Sequence, residues 1–66
     1  MEIFVNGQAR QVPAGMTVAE LLKLLRIETR HVAVEVNLEL VPRTQHPQHK
    51  LVDHDQLEIV TLVGGG

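Results

Sequence analysis

One amphipathic helix, set between stretches that alternate with a period of two, limits what this chain can fold into. Thr17-Val18-Ala19-Glu20 has the form of a capping box. The threonine hydroxyl accepts from the Glu20 N–H, and the glutamate carboxylate accepts from the Thr17 N–H. Met16 and Leu21 occupy the staple positions that flank it. Val18, Leu21, Leu22 and Leu25 then recur at i, i+3, i+4 and i+7, a single apolar stripe. Lys23 and Arg26 lie near the C-terminal end, where the helix dipole favours cations. A helix with one stripe covers one face of one sheet, so the remaining apolar residues must lie on strands that face it.

Those strands are readable on both sides of the helix. Met1 to Val5 is predicted as a strand with Ile3 and Val5 on one face and Glu2 and Phe4 on the other. Asn6-Gly7 signals a type I′ hairpin turn, because both residues accept positive φ. Gln8 to Val12 returns as a polar edge strand, ended by Pro13-Ala14-Gly15. After the helix, His31 to Val36 alternates, with Val32, Val34 and Val36 on one face. Asn37-Leu38 reads as a turn, and Glu39-Leu40-Val41 as a short strand stopped by Pro42. Arg43 to Lys50 reads as a polar loop over a plug of Leu51-Val52. Asp53-His54-Asp55 makes a turn, and Gln56 to Val63 forms the last strand. Strand, strand, helix, strand, short strand, strand is the order of an α+β β-grasp fold. In it the first and last strands lie parallel at the centre of a mixed sheet, the helix covers one face and the other face is open.

Composition narrows the function. The chain has 66 residues and no cysteine, which leaves no disulfide framework, thiolate metal site or thiol nucleophile. At this size the core is thin and a deep catalytic cleft does not fit. A net charge of -2 does not favour a polyanionic partner, and a single aromatic, Phe4, offers no stacking platform for nucleic acid. No apolar run reaches the length of a membrane span and no signal peptide precedes the first strand, so a cytoplasmic domain is expected.

The last three residues, Gly64-Gly65-Gly66, have no structural use, since glycine adds no packing and resists ordering. The expected organisation is a domain over residues 1–63 and a flexible tail over 64–66 that presents the Gly66 carboxylate with no side chain to obstruct it. His46 and His49 are spaced as metal ligands can be, but they sit in a polar loop without cysteine and read as solvated histidines; no metal site is expected. Asp53 and Asp55 read as turn residues, not as an acid–base pair.

Taken together, the Asn6-Gly7 hairpin, Thr17-Val18-Ala19-Glu20-Leu21-Leu22, Val32-Ala33-Val34-Glu35-Val36-Asn37, Val41-Pro42-Arg43 and the glycines after Glu58-Ile59-Val60 resemble the ThiS-type sulfur carriers of thiamin biosynthesis over essentially the whole chain. Arg26 and His54 depart from the resemblance, each standing where such proteins often have glycine. The resemblance implies a carrier, not an enzyme, with no cofactor of its own. An E1-like adenylating enzyme using ATP and Mg would adenylate the carboxylate of Gly66. A persulfide relay would convert it to a thiocarboxylate, and thiazole synthase would take the sulfur into the thiazole ring of thiamin. Phe4, Val60 and Leu62 are expected on the open sheet face as a docking surface, the last two emerging beside Phe4 after a bulge. The resemblance adds Arg43 to that surface. Terminal glycines alone are shared with molybdopterin and tRNA-thiolation carriers and with ubiquitin-like modifiers conjugated through the terminal residue. Those readings stay open at this level, as does that of a plain interaction module.

Overall fold

A computed structural model describes residues 1–62. Five strands and one helix follow in the order β1 (Glu2–Val5), β2 (Gln8–Gln11), α1 (Val18–Leu24), β3 (Val32–Val36), β4 (Glu39–Val41) and β5 (Gln56–Thr61). They form one sheet of order β2-β1-β5-β3-β4. The two central strands β1 and β5 are parallel, and all other neighbours are antiparallel. This is the β-grasp arrangement read from the sequence. Its element ends differ from the expected ones by a residue or so, and Val63 lies outside the described residues.

The core follows from the alternation. Ile3 and Val5 of β1, Val32, Val34 and Val36 of β3, Val41 of β4 and Leu57 and Ile59 of β5 turn to the helix side, where Val18, Leu21 and Leu22 meet them. Leu25 packs against this cluster from just beyond the helix end. Burial of such side chains stabilises by about 1.5–3 kcal/mol each, so this one layer is the main source of stability.

Both ends of the helix are fastened. Glu20 N–H donates to Thr17 Oγ1 at 3.1 Å and Thr17 N–H to Glu20 Oε1 at 2.9 Å, which completes the capping box. The two N–H groups before it are taken by the 43–50 loop: Val18 N–H donates to the His49 carbonyl at 2.9 Å and Ala19 N–H to the His46 carbonyl at 3.0 Å. The donors that any helix start leaves orphaned thus find partners, and the loop is tied to the helix. At the other end Arg26 stands just past the cap residue Leu25 with φ 59. The chain reverses there through a left-handed residue, the conformation for which glycine is usual.

The loop itself is less open than its composition implied. It begins with a 3-10 turn at Arg43–Gln45, and His46 is 2% exposed. The expectation of solvated loop histidines is therefore corrected for His46. Its Nε2–H donates to the Val41 carbonyl at 3.1 Å, and its Nδ1 pairs with Thr29 Oγ1 at 2.6 Å. A buried imidazole with both nitrogens paired costs little to bury. The plug beneath the loop also splits, with Leu51 buried and Val52 exposed.

Candidate functional site

The region that bears on function is the end of β5. Leu57 and Ile59 fill the core, so Glu58 and Val60 point to the uncovered side of the sheet. The ladder is unbroken: Ala33 pairs with Val60 and Val32 with Thr61, and Leu62 N–H donates to the His31 carbonyl at 2.7 Å. The strand is thus held on its β3 side to the last described residue. Val60 is 56% exposed and Leu62 52% exposed. Val63 and the three glycines follow in the sequence. Gly64, Gly65 and Gly66, the expected tail, lie outside the described residues.

The four residues expected to form a docking surface are placed unevenly. Val60 reaches the open face by simple alternation, and no bulge is needed, which corrects the expected route. Phe4 shares that face but pairs with Gln56 on β5 and with Ala9 on β2. Val60 lies four residue steps along β5 from Gln56, roughly 13 Å. Phe4 is half-buried and Glu58 intervenes, so Phe4 and Val60 are on one face without being adjacent. Arg43 is exposed and opens the turn after β4, whose Val41 is level with Val34 and, through it, with Ile59. That puts Arg43 at the same end of the sheet as Leu62, two strands away.

Between these positions, Glu35 and Glu58 are direct cross-strand partners on the open face, and Leu40 pairs with Glu35 on its other side. Like charges opposed in this way are mildly unfavourable. Periodicity gave the face of each residue, but only the register shows that the two carboxylates meet.

The middle and the start of β5 are fixed by side-chain amides and a carboxylate. Asn6 follows β1 and continues its work: its side chain accepts from Ile59 N–H at 2.8 Å and donates to the Ile59 carbonyl at 3.1 Å. Asn37 Nδ2 donates to Asp55 at 2.9 Å, and Asn37 Oδ1 accepts from Gln56 N–H at 3.0 Å. Asp55 is buried and also accepts from Val52 N–H at 2.8 Å. Its carboxylate is engaged in holding the turn, as the sequence reading expected of Asp53 and Asp55. Asp53 accepts from Glu2 N–H at 2.8 Å. Among the described residues no three His, Asp or Glu side chains are grouped to hold a metal ion, and no helix is long and apolar enough to cross a membrane.

These features define a class first: a small β-grasp protein whose central strand carries an apolar pair on an open face and runs toward glycines. The ThiS family profile matches residues 3–66. Over its whole length the chain is 41% identical to the whole of the sulfur carrier protein ThiS of Escherichia coli. It is also 47% identical to a thiazole synthase of Paramagnetospirillum magneticum, of which it spans 20%. The crystal structure of the thiamine biosynthesis protein ThiS from Geobacter metallireducens superposes with a TM-score of 0.86 at 32% identity, each chain fully covered. The chain belongs to the ThiS family. Relatives named as sulfur carriers are carriers by name, not catalysts.

Proposed function

We propose that the chain carries sulfur on the carboxylate of Gly66 and delivers it for assembly of the thiazole ring of thiamin. The observation that carries the reading is the anchored end of β5: a fixed strand leads to Leu62, and the sequence that follows it is Val63 and three glycines. Family membership supports the same reading.

The chemistry asks little of the chain beyond presenting that group. A carboxylate is a poor acyl donor until one oxygen is part of a good leaving group. In the proposed sequence the Gly66 carboxylate attacks the α-phosphorus of ATP, held with Mg on an E1-like adenylating partner, and pyrophosphate leaves. The terminal sulfur of a persulfide donor then attacks the acyl carbon and AMP leaves. Reduction of the resulting sulfur–sulfur bond by a thiol releases the thiocarboxylate. Positioning for such an in-line attack tolerates errors well under the length of one residue. The carrier binds no cofactor of its own and is not an enzyme in this scheme. Similarity to part of two thiazole synthases supports thiazole synthase as the sulfur acceptor. The exposed residues Val60, Leu62, Phe4 and Arg43 are the proposed contacts with partners.

Deleting Gly66, or adding one residue after it, moves the carboxylate by about 3.5 Å without touching the core. Both variants should fold like the parent and fail to gain sulfur when mixed with the adenylating enzyme, ATP and a persulfide donor. Thiolation of both at the parent's rate would show that the terminus is not the reacting group.

A further inference from the structure

We infer that two copies of this chain pair through the free edge of β4, antiparallel about a two-fold axis at Leu40, so that their sheets run on into one. Pairing of this kind is independent of the carrier reading. β4 is the last strand on its side of the sheet, with β3 as its one strand neighbour. The alternation of hydrogen bonds settles which of its groups are spare. Leu62 N–H donates to the His31 carbonyl, and Asn37 N–H to that of Gln56. His31, Ala33, Glu35 and Asn37 therefore bond toward β5, while Val34 and Val36 bond toward Val41 and Glu39. Leu40, opposite Glu35, turns its N–H and its carbonyl outward. Such outward groups are a template for a further strand.

The side chains along that edge suit an apolar strand. Leu38 is 88% exposed and Leu40 65%, the highest values among the large apolar side chains described. Leu38 holds its place at φ 69, where any side chain is unfavourable. β2, the other edge, reads Gln8-Ala9-Arg10-Gln11 and offers no such anchor.

The occupant is a second copy because the strand is complementary to itself in one register. With Leu40 opposite Leu40 of the second copy, the two residues exchange N–H···O bonds. Their side chains then meet on the open face, about 5.5 Å apart between Cα atoms. Glu39 stands opposite Val41 of the second copy and diagonal to its Arg43. Pro42 is extended, with φ -57 and ψ 147, so Arg43 continues the alternation on the side of Glu39 and Val41. Both charges are exposed, and neither has an ion-pair partner among the described residues. The two-fold axis makes this diagonal contact twice, within reach of such long side chains. The neighbouring registers are poorer. Centring on Glu39 sets two carboxylates face to face. Centring on Val41 sets Leu40 against Pro42, which has no N–H to give.

An axis through a bonded pair stands perpendicular to the sheets, so both open faces lie on one side and both helices on the other. The seam is two strands from β5, which leaves Val60 and Leu62 uncovered. A three-residue edge buries much less than the roughly 800 Å² per partner of an ordinary interface. The association is therefore weak, with a dissociation constant of about 0.1–1 mM.

The test uses the full chain alone, read by sedimentation velocity from about 20 μM to about 2 mM. The parent should pass from one copy toward two over that range. Leu40→Lys faces Glu35 within the chain but its own ammonium across the seam, so it should fold and weaken pairing about tenfold or more. Glu39→Arg and Arg43→Glu should each weaken pairing severalfold by setting like charges on the diagonal. The two together should restore it, since the swap returns opposite charges. Amide hydrogen exchange should slow at Leu40, and not at Val60, as concentration rises. A parent that stays single at the highest concentration overturns the inference. Pairing that Leu40→Lys leaves unchanged overturns it as well, as does pairing that Val60→Asp abolishes instead, or a double variant no better than the single ones. Slowed exchange at Leu40 that needs added thiazole synthase, with the parent alone single, also overturns it, since a strand of that protein would then be the occupant.

Discussion

At the scale of single residues, the fold asks for left-handed backbone where the sequence supplies bulky side chains. Arg26, Leu38 and His54 have φ of 59, 69 and 70. Left-handed backbone costs a residue with a side chain roughly 1–2 kcal/mol, part of which glycine gives back as unfolded-chain entropy. Arg26→Gly should therefore raise stability by about 0.5–1 kcal/mol in urea unfolding; no gain would mean that the Arg26 side chain compensates. The two departures from the family resemblance, Arg26 and His54, fall on two of these positions, so the resemblance located a strain that propensity could not. His46 was the reverse. Its neighbours Gln45, Pro47 and Gln48 are polar or turn-forming, and its burial depends on Thr29, 17 residues away, and on the Val41 carbonyl. No local pattern encodes such a contact. His46→Ala should cost about 2–4 kcal/mol through the cavity and the carbonyl left unpaired, measured as a lowered denaturation midpoint with an unchanged slope.

At the scale of elements, the helix was the most legible part because each signal for it is local: cap, staple and stripe all lie within 16–25. The strands were legible as alternation, but their register was not, since pairing such as Glu35 with Glu58 depends on where distant segments meet. The short 3-10 turns at Thr29–His31 and Arg43–Gln45 were missed, having no apolar period to reveal them. Thr17→Ala should destabilise by about 1 kcal/mol, seen in thermal unfolding, while the folded fraction still accepts sulfur. A variant that kept its melting temperature but lost sulfur transfer would contradict a purely structural cap. The same box predicts a pH effect. The Thr17 N–H, then its side chain, hold the Glu20 carboxylate below the ordinary glutamate range. A depressed folded value contributes stability that is present above the unfolded value and lost as pH falls through the folded one. Between about pH 5 and pH 3, the parent should therefore lose more stability than Glu20→Gln, which keeps a capping oxygen without the charge. Parallel pH profiles would contradict that.

At the scale of the whole molecule, one thin core supports one central strand, and that strand is fixed along its length. Asn6 and β1 hold one side of it, β3 the other, and Leu62 is still bonded to His31. On the proposed reading the domain is a mount for the reacting terminus, and its stability and that chemistry are separable. The β-grasp architecture was legible because strand order and helix position follow from local patterns in sequence order. The face proposed for docking was legible only in part: a bulge was expected to bring Val60 beside Phe4, whereas plain alternation puts both on one side, the spacing along β5 sets them apart, and Arg43 comes to the same end of the sheet as Leu62 through pairing alone. The central claim is that Gly66 carries the sulfur. It is tested most directly by the intact mass of the parent chain after incubation with its adenylating enzyme, ATP and a persulfide donor, followed by fragmentation of the C-terminal peptide. The account predicts that one oxygen is replaced by one sulfur, on Gly66 and only when ATP is present. An unchanged mass under turnover, or sulfur found on any other residue, would contradict it.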